Sequence, residues 1–110
     1  QAVRAQPDYA EAELSWGIAL AVTQHLPAAV PHFERALRLV PNSLRFQLTF
    51  ARALTDGGRH DDAVAHYQAA LAVEPNSADA HFGLAISLRE MGRLTEAQQH
   101  LATARQLGRR

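Results

Sequence analysis

The chain has 110 residues, and its eleven basic and eleven acidic residues cancel to a formal net charge of zero. A neutral chain carries no overall electrostatic signal for nucleic acid or an anionic membrane. The absence of cysteine excludes disulfides, thiolate metal sites and cysteine nucleophiles. Alanine occurs 22 times, whereas glycine and proline together number 11. Because alanine has the highest intrinsic helix propensity, this composition favours an all-α fold.

The composition also bears on the source and the compartment of the protein. All eleven basic residues are arginine, which indicates a GC-rich coding sequence and a bacterial source. No stretch approaches the roughly 18 apolar residues of a membrane helix, and none has the pattern of a signal peptide. We therefore expect no membrane insertion. A chain without cysteine suits the cytoplasm, which we favour, and the periplasm.

Helix stop and start signals recur along the chain at a spacing of 34 residues. Three prolines are each followed by a residue that favours a helix N-cap, in the pairs Pro7–Asp8, Pro41–Asn42 and Pro75–Asn76. Proline cannot donate to the helical ladder and restricts the residue before it, so a break is predicted at each pair. Residues 1–7 are then expected to be the end of a helix that belongs to a preceding repeat.

The first predicted hairpin has a first helix at about Tyr9–Thr23. Trp16 and Leu20 fall at positions i and i+4, which predicts that they point into the core. In the second helix, Pro27 suits a first helical position, but Pro31 follows four residues later. We therefore expect this second helix to start late or to bend.

The second and third predicted hairpins have clearer boundary signals. The first helix of the second hairpin covers about Ser43–Thr55, and the stretch Asp56–Arg59 follows it with a glycine as a C-cap. Asp61 is then predicted to cap the next helix. In the third hairpin, Gly92 takes the same turn position as Gly58. In the same hairpin, Thr95 and Gln98 have the spacing of a capping box at the start of the last helix. Each boundary is predicted to within a few residues.

Each hairpin repeats one pattern of large and small residues. The first helices carry large, small and large residues at Trp16, Gly17 and Leu20, at Phe50, Ala51 and Leu54, and at Leu84, Ala85 and Leu88. The second helices carry small, large and small residues at Ala29, Phe33 and Ala36, at Ala63, Tyr67 and Ala70, and at Ala97, Leu101 and Ala104. With its 34-residue period, this pattern resembles the tetratricopeptide repeat family.

The resemblance implies an all-α, right-handed α-solenoid of antiparallel helix hairpins. The whole chain, residues 1–110, would form a single array with repeats at 8–41, 42–75 and 76–110. It also implies a non-catalytic scaffold that holds a protein or peptide partner in a concave groove lined by the first helices. No cofactor, metal or nucleic acid is expected, and the sequence contains no nucleophile or phosphate-loop motif that would favour an enzyme.

The resemblance places the candidate groove residues on the first helices. These candidates are Leu14, Ile18, Arg45, Leu48, Arg52, Phe82, Ile86 and Arg89. Apolar residues flanked by arginine suit a segment with apolar anchors and an acidic flank. For Leu14, Leu48 and Phe82 a second interpretation stays open, because these aligned residues could instead complete the packing between first helices.

Two other functions stay open from the sequence. The array could self-associate as a homo-oligomer through its exposed ends, because terminal repeats without a polar outer face tend to pair. It could also be a targeting domain of a larger protein, such as an enzyme or a component of a secretion or assembly system.

A row of histidines, His32, His66 and His100, recurs at the repeat period on the second helices. Packed helices lie about 8–10 Å apart, whereas each ligand of a zinc ion lies about 2 Å from it. Three side chains on successive repeats therefore cannot share one ion. We predict a structural row beside the core residues rather than a metal site.

Overall fold

The computed structural model describes residues 2–108, and it describes side chains from residue 9 onward. This part of the chain forms six helices: α1 (Ala2–Val22), α2 (Leu26–Leu39), α3 (Leu44–Asp56), α4 (His60–Val73), α5 (Ala78–Glu90) and α6 (Leu94–Gly108). Residues 2–108 contain no strand. Consecutive helices pair as three hairpins, and the array measures 46 × 30 × 18 Å. The predicted all-α solenoid is confirmed, and Gln1, Arg109 and Arg110 lie outside the described residues.

The three hairpin turns close in the same way, with one residue in the left-handed region. The backbone N–H groups of His25, Arg59 and Arg93 donate to carbonyls five residues earlier, at 2.7, 2.8 and 2.9 Å. Such a bond is typical of a Schellman motif, in which the preceding residue has a positive φ. These preceding residues are Gln24 (φ 65°), Gly58 (φ 83°) and Gly92 (φ 82°). Two of the three turns thus use glycine, as the geometry favours, and the first does not.

A continuous core joins the hairpins. The rings of Phe33 on α2 and Phe50 on α3 stack with their centroids 4.8 Å apart, and both side chains are buried. One repeat later, the Tyr67 ring of α4 lies so close to Gly83 of α5 that a Cβ there would be 2.3 Å from it. Each hairpin therefore buries its apolar face on the next, as in other repeat arrays.

Proline is accommodated inside two helices where the sequence predicted a break or a delay. The predicted break at Pro7 is wrong, because α1 continues from Ala2 to Val22 through Pro7 and Asp8. Similarly, α2 begins at Leu26 and contains Pro31. Pro31 deprives the carbonyl of Pro27 of its helical partner. Because Pro27 and Pro31 are both exposed, water can bind that carbonyl.

The caps of α3 and α5 lie one residue later than the sequence predicted. Ser43, rather than Asn42, caps α3, and its Oγ accepts a hydrogen bond from the Phe46 N–H at 3.2 Å. Ser77, rather than Asn76, caps α5 in the same way. The hydroxyl of serine satisfies one of the helix's free N–H groups at each start.

The second helices of the last two hairpins start without the predicted side-chain caps. Asp61 and Thr95 lie inside α4 and α6, because these helices begin at His60 and Leu94. Instead, an arginine just before each helix binds a carboxylate in the first turn at 2.7 Å, in the pairs Arg59–Asp62 and Arg93–Glu96. Acidic residues in a first turn are also favoured by the helix dipole.

Trp16 does not point into the core as predicted, since 61% of it is exposed. Its counterpart in the next repeat, Phe50, is 2% exposed because Phe33 of the preceding hairpin covers it. Among the described residues, no preceding hairpin covers Trp16. It stacks instead on His32 of its own hairpin, with the ring centroids 5.7 Å apart.

Candidate functional site

The first helices form the inner face of the array. Helix α3 contacts both α1 and α5, whereas the second helices of the described chain do not contact one another. Since the first helices lie closer together, the array curves around them, as in α-solenoids with a concave binding surface. The candidate residues on α1, α3 and α5 therefore belong to helices of the inner face.

A recess of about 1000 Å³ opens where the first hairpin meets the second. It lies between the end of α1, the start of α2 and the second half of α3. The residues that give it its character are Ile18, Val22, Gln24, Leu26, Arg52 and Gly57. A mostly apolar recess with a few polar groups has the character of a ligand-binding pocket, and its volume lies at the large end of their range.

A glycine at the end of α3 lies against Leu26 in the lining of the recess. A Cβ on Gly57 would lie 2.3 Å from Cδ2 of Leu26, so the close approach of these two residues requires glycine unless Leu26 shifts. One repeat later, the same two positions hold Met91 and His60. The boundary between the first two hairpins therefore has no side chain at Gly57, where the next boundary has that of Met91.

The predicted groove residues fall in two places rather than in one strip. Ile18, which is 40% exposed, and Arg52 line the large recess. Phe82, Ile86 and Arg89 line a second recess of about 370 Å³ between α5 and α6. The structure therefore brings Ile18 and Arg52 together and separates them from the candidates of the third repeat.

The other three candidates line neither recess. Leu14 is 3% exposed and belongs to the continuous core, so its prediction as a ligand-contacting residue is wrong. Leu48 is half-buried and packs against the same core. Arg45 forms an ion pair with Glu11, which bridges α3 and α1 and neutralises the arginine. For Leu14 and Leu48, the packing interpretation describes what is observed.

Two arginines line the large recess, and within the described residues only one of them forms an ion pair. Arg59 is engaged by Asp62, whereas Arg52 makes no ion pair with any side chain in residues 9–108. Asp56 lies one turn further along α3 and also lines the recess. The recess thus presents an apolar wall beside two exposed guanidinium groups, of which only that of Arg59 is ion-paired within residues 9–108, and beside the carboxylate of Asp56.

Sequence reasoning missed Gln24, Leu26 and Gly57 as residues of the site. The signal that could have found them is a departure from the repeat. Gln24 aligns with Gly58 and Gly92, and Gly57 aligns with Met91. Leu26 follows the same turn and aligns with His60 and Leu94, so it carries a weaker signal.

The histidine row ties each second helix to its own first helix. His32, His66 and His100 each bond through Nδ1 to the residue 19 positions earlier, which is Glu13 (2.6 Å), Gln47 (2.8 Å) and His81 (3.0 Å). Burial lowers the pKa of His66, and burial together with the charge of His81 lowers the pKa of His100. Within residues 9–108, no three metal-ligating side chains are placed to hold an ion.

Comparison with known proteins agrees with the geometry of the hairpins. One tetratricopeptide repeat family model matches residues 54–109, and another matches residues 1–43. No curated protein matches the chain. Within residues 2–108, no helix combines the length and the apolar character that crossing a membrane requires.

Solved structures of repeat proteins superpose closely on this chain. MamA AMB-1 is 28% identical, with a TM-score of 0.82 over 94% of this chain and 61% of its own. MamA MSR-1 is 27% identical, with a TM-score of 0.81 over 94% of this chain and 59% of its own. YrrB, described as a TPR protein with an unusual peptide-binding site, is 21% identical. Its TM-score is 0.81 over 89% of this chain and 50% of its own, and it shows the fold alone.

Proposed function

The chain belongs to the tetratricopeptide repeat family, and we propose that it is a non-catalytic scaffold that binds a segment of a partner protein in the large recess of its inner face. The observation that carries this proposal is the recess of about 1000 Å³ beside Ile18 and Arg52. The fold of the family and of its solved relatives supports a role in protein interaction. YrrB, which shares the fold, is described as having a peptide-binding site, and we infer a peptide segment as the partner here by analogy of fold alone.

The recess offers apolar surface that a partner can remove from water. Ile18 and Val22 lie one turn apart near the end of α1 and are exposed. Covering apolar surface is worth about 25 cal/mol per Å², so an apolar side chain of the partner would be stabilised there. A rigid array of packed hairpins keeps this surface in place without the entropy cost of ordering a loop.

Selection from a displayed library of random peptides tests the proposal. Peptides enriched on the wild-type chain are synthesised with a fluorophore, and their affinity is measured by anisotropy. Ile18→Asp should weaken binding by about tenfold or more, since it places a charge on a central apolar contact. Val73→Asp is the matched control, because Val73 has a similar exposure of 42% but lies on α4, outside both recesses.

Circular dichroism establishes that both variants keep the helical fold before affinities are compared. The proposal predicts that Val73→Asp binds like the wild type. Equal affinities of Ile18→Asp and the wild type, or a selection that enriches no peptide, would show that the recess is not a docking site.

A further inference from the structure

Gln24 adopts a backbone conformation that its side chain disfavours. Its φ of 65° lies in the left-handed region, where a Cβ crowds the following carbonyl oxygen. The equivalent turns of the other two hairpins use Gly58 and Gly92, which adopt this conformation without that crowding. The first turn therefore keeps a strained residue at a position where the fold itself would be better served by glycine.

The side chain of Gln24 lies at the large recess. Gln24 is exposed and lines the recess together with Ile18 and Arg52. Its amide makes no hydrogen bond to any described residue, whereas the neighbouring Thr23 hydroxyl donates to the Ala19 carbonyl at 2.9 Å. Within the described residues, the glutamine side chain thus contributes no hydrogen bond to the turn, and it lines the recess with an amide that can both donate and accept.

We propose that Gln24 is a specificity-determining residue of the recess, where its amide hydrogen-bonds the main chain of an extended, apolar and acidic partner segment. This inference rests on the proposed function and deepens it. One apolar side chain of the segment lies against Ile18 and Val22, and an acidic side chain reaches Arg52. Backbone strain that persists without a structural benefit is typical of ligand-contacting residues.

The chemistry of the amide suits a peptide group. A glutamine side chain carries both a donor and an acceptor, as does each peptide unit of an extended segment. A peptide group that enters the recess loses water, and leaving it without a partner would be costly. Gln24 supplies that partner at the edge of the apolar wall.

The charges favour an acidic rather than a basic segment. Alternate side chains of an extended segment point to opposite sides, so an apolar anchor and an acidic neighbour can reach different walls. Within residues 9–108, Arg52 makes no ion pair, whereas Arg59, the other arginine of the recess, is paired with Asp62. Asp56, one turn from Arg52, limits the acidic side chains that the recess accepts.

The test uses two acetylated synthetic peptides, one of alternating leucine and glutamate and one of alternating leucine and lysine. Their affinities for the 110-residue chain are measured by calorimetry, together with the melting temperature of each variant. The wild type should bind the glutamate peptide more tightly than the lysine peptide. Gln24→Gly should raise the melting temperature and weaken binding of the glutamate peptide about two- to tenfold, as expected for one lost hydrogen bond.

Two further variants separate the amide from the backbone. Gln24→Ala removes the amide but keeps the strained conformation, so it should weaken binding without raising the melting temperature. Gln68→Ala, on the exposed surface of α4, is the matched control and should bind normally. If Gln24→Gly weakens peptide binding but Gln24→Ala does not, the effect comes from the backbone conformation, and the proposed role of the amide is wrong.

The remaining outcomes distinguish this inference from the proposed function. If Ile18→Asp weakens the glutamate peptide but both Gln24 variants bind it like the wild type, the recess is a docking site and the role of Gln24 is wrong. If the lysine peptide binds as tightly as the glutamate peptide, the acidic character of the partner is wrong. If the wild type binds neither peptide, the inference is overturned, and the peptide selection then decides the proposed function separately.

Discussion

Gly83→Ala should destabilise the protein, although alanine favours a helix more than glycine does. Gly83 lies in the middle of α5 and faces the Tyr67 ring of α4. A Cβ there would lie 2.3 Å from Cζ and 2.5 Å from the phenolic oxygen of Tyr67. Tyr67 is only 4% exposed, and closely packed interiors leave a ring little room to move.

The magnitude follows from two opposing contributions. Replacing glycine by alanine inside a helix stabilises it by about 0.5–1 kcal/mol. Overpacking a closed core costs about 1–3 kcal/mol, so a net loss of about 1 kcal/mol is expected. For a domain of about 100 residues, this lowers the melting temperature by about 4–8 °C.

Thermal unfolding followed by circular dichroism measures this change. Gly108→Ala is the control, because a Cβ at Gly108 would meet no atom of the described residues within 4 Å. In a Tyr67→Leu background, which removes the ring, Gly83→Ala should cost much less. A melting temperature of Gly83→Ala at or above that of the wild type would refute the packing of α4 on α5 described here.

Two further predictions concern acidity and self-association. The pKa values of His66 and His100 lie below the usual 6.5 because of burial, so the unfolded chain takes up protons first as the pH falls. The free energy of unfolding should therefore decline from pH 6.5 towards the lowered pKa values, and His66→Gln should reduce this decline in denaturant titrations. If the free energy of unfolding of His66→Gln declines with falling pH as steeply as that of the wild type, the proposed contribution of His66 is wrong. Self-association through the array ends would cover Trp16, the single tryptophan, and shift its emission to shorter wavelength as concentration rises. If the chain acts as a monomeric scaffold, the emission wavelength of Trp16 should not change with concentration, and sedimentation velocity should show a monomer.

The sequence was sufficient to predict the repeated hairpins because their signals recur at one period. Each pair of helices, the glycine turns at Gly58 and Gly92, and the buried positions of Phe33 and Phe50 follow from that pattern. The predictions failed where a tertiary neighbour decides the outcome. Trp16 has the same local pattern as Phe50, but only Phe50 is covered by a preceding hairpin within the described chain.

The candidate site was predictable only in part. Ile18 and Arg52, two of the predicted groove residues, line the same recess, and their role in binding stays a prediction. Leu14 lies on α1 like Ile18, but its side chain is buried. The position of a residue on a helix does not determine whether a neighbouring helix covers it. The recess itself is lined by residues of both hairpins, among them Gln24 and Gly57. A local sequence pattern does not show that residues so far apart in the chain meet.

We propose that the recess at the boundary of the first two hairpins binds a partner segment. Amide shifts in a two-dimensional NMR spectrum, recorded as a selected peptide is titrated into the labelled chain, test it most directly. The largest changes should fall on Ile18, Gln24 and Arg52, while Val73 on α4 stays unchanged. Changes concentrated on the second helices, with Ile18 and Arg52 unaffected, would contradict it.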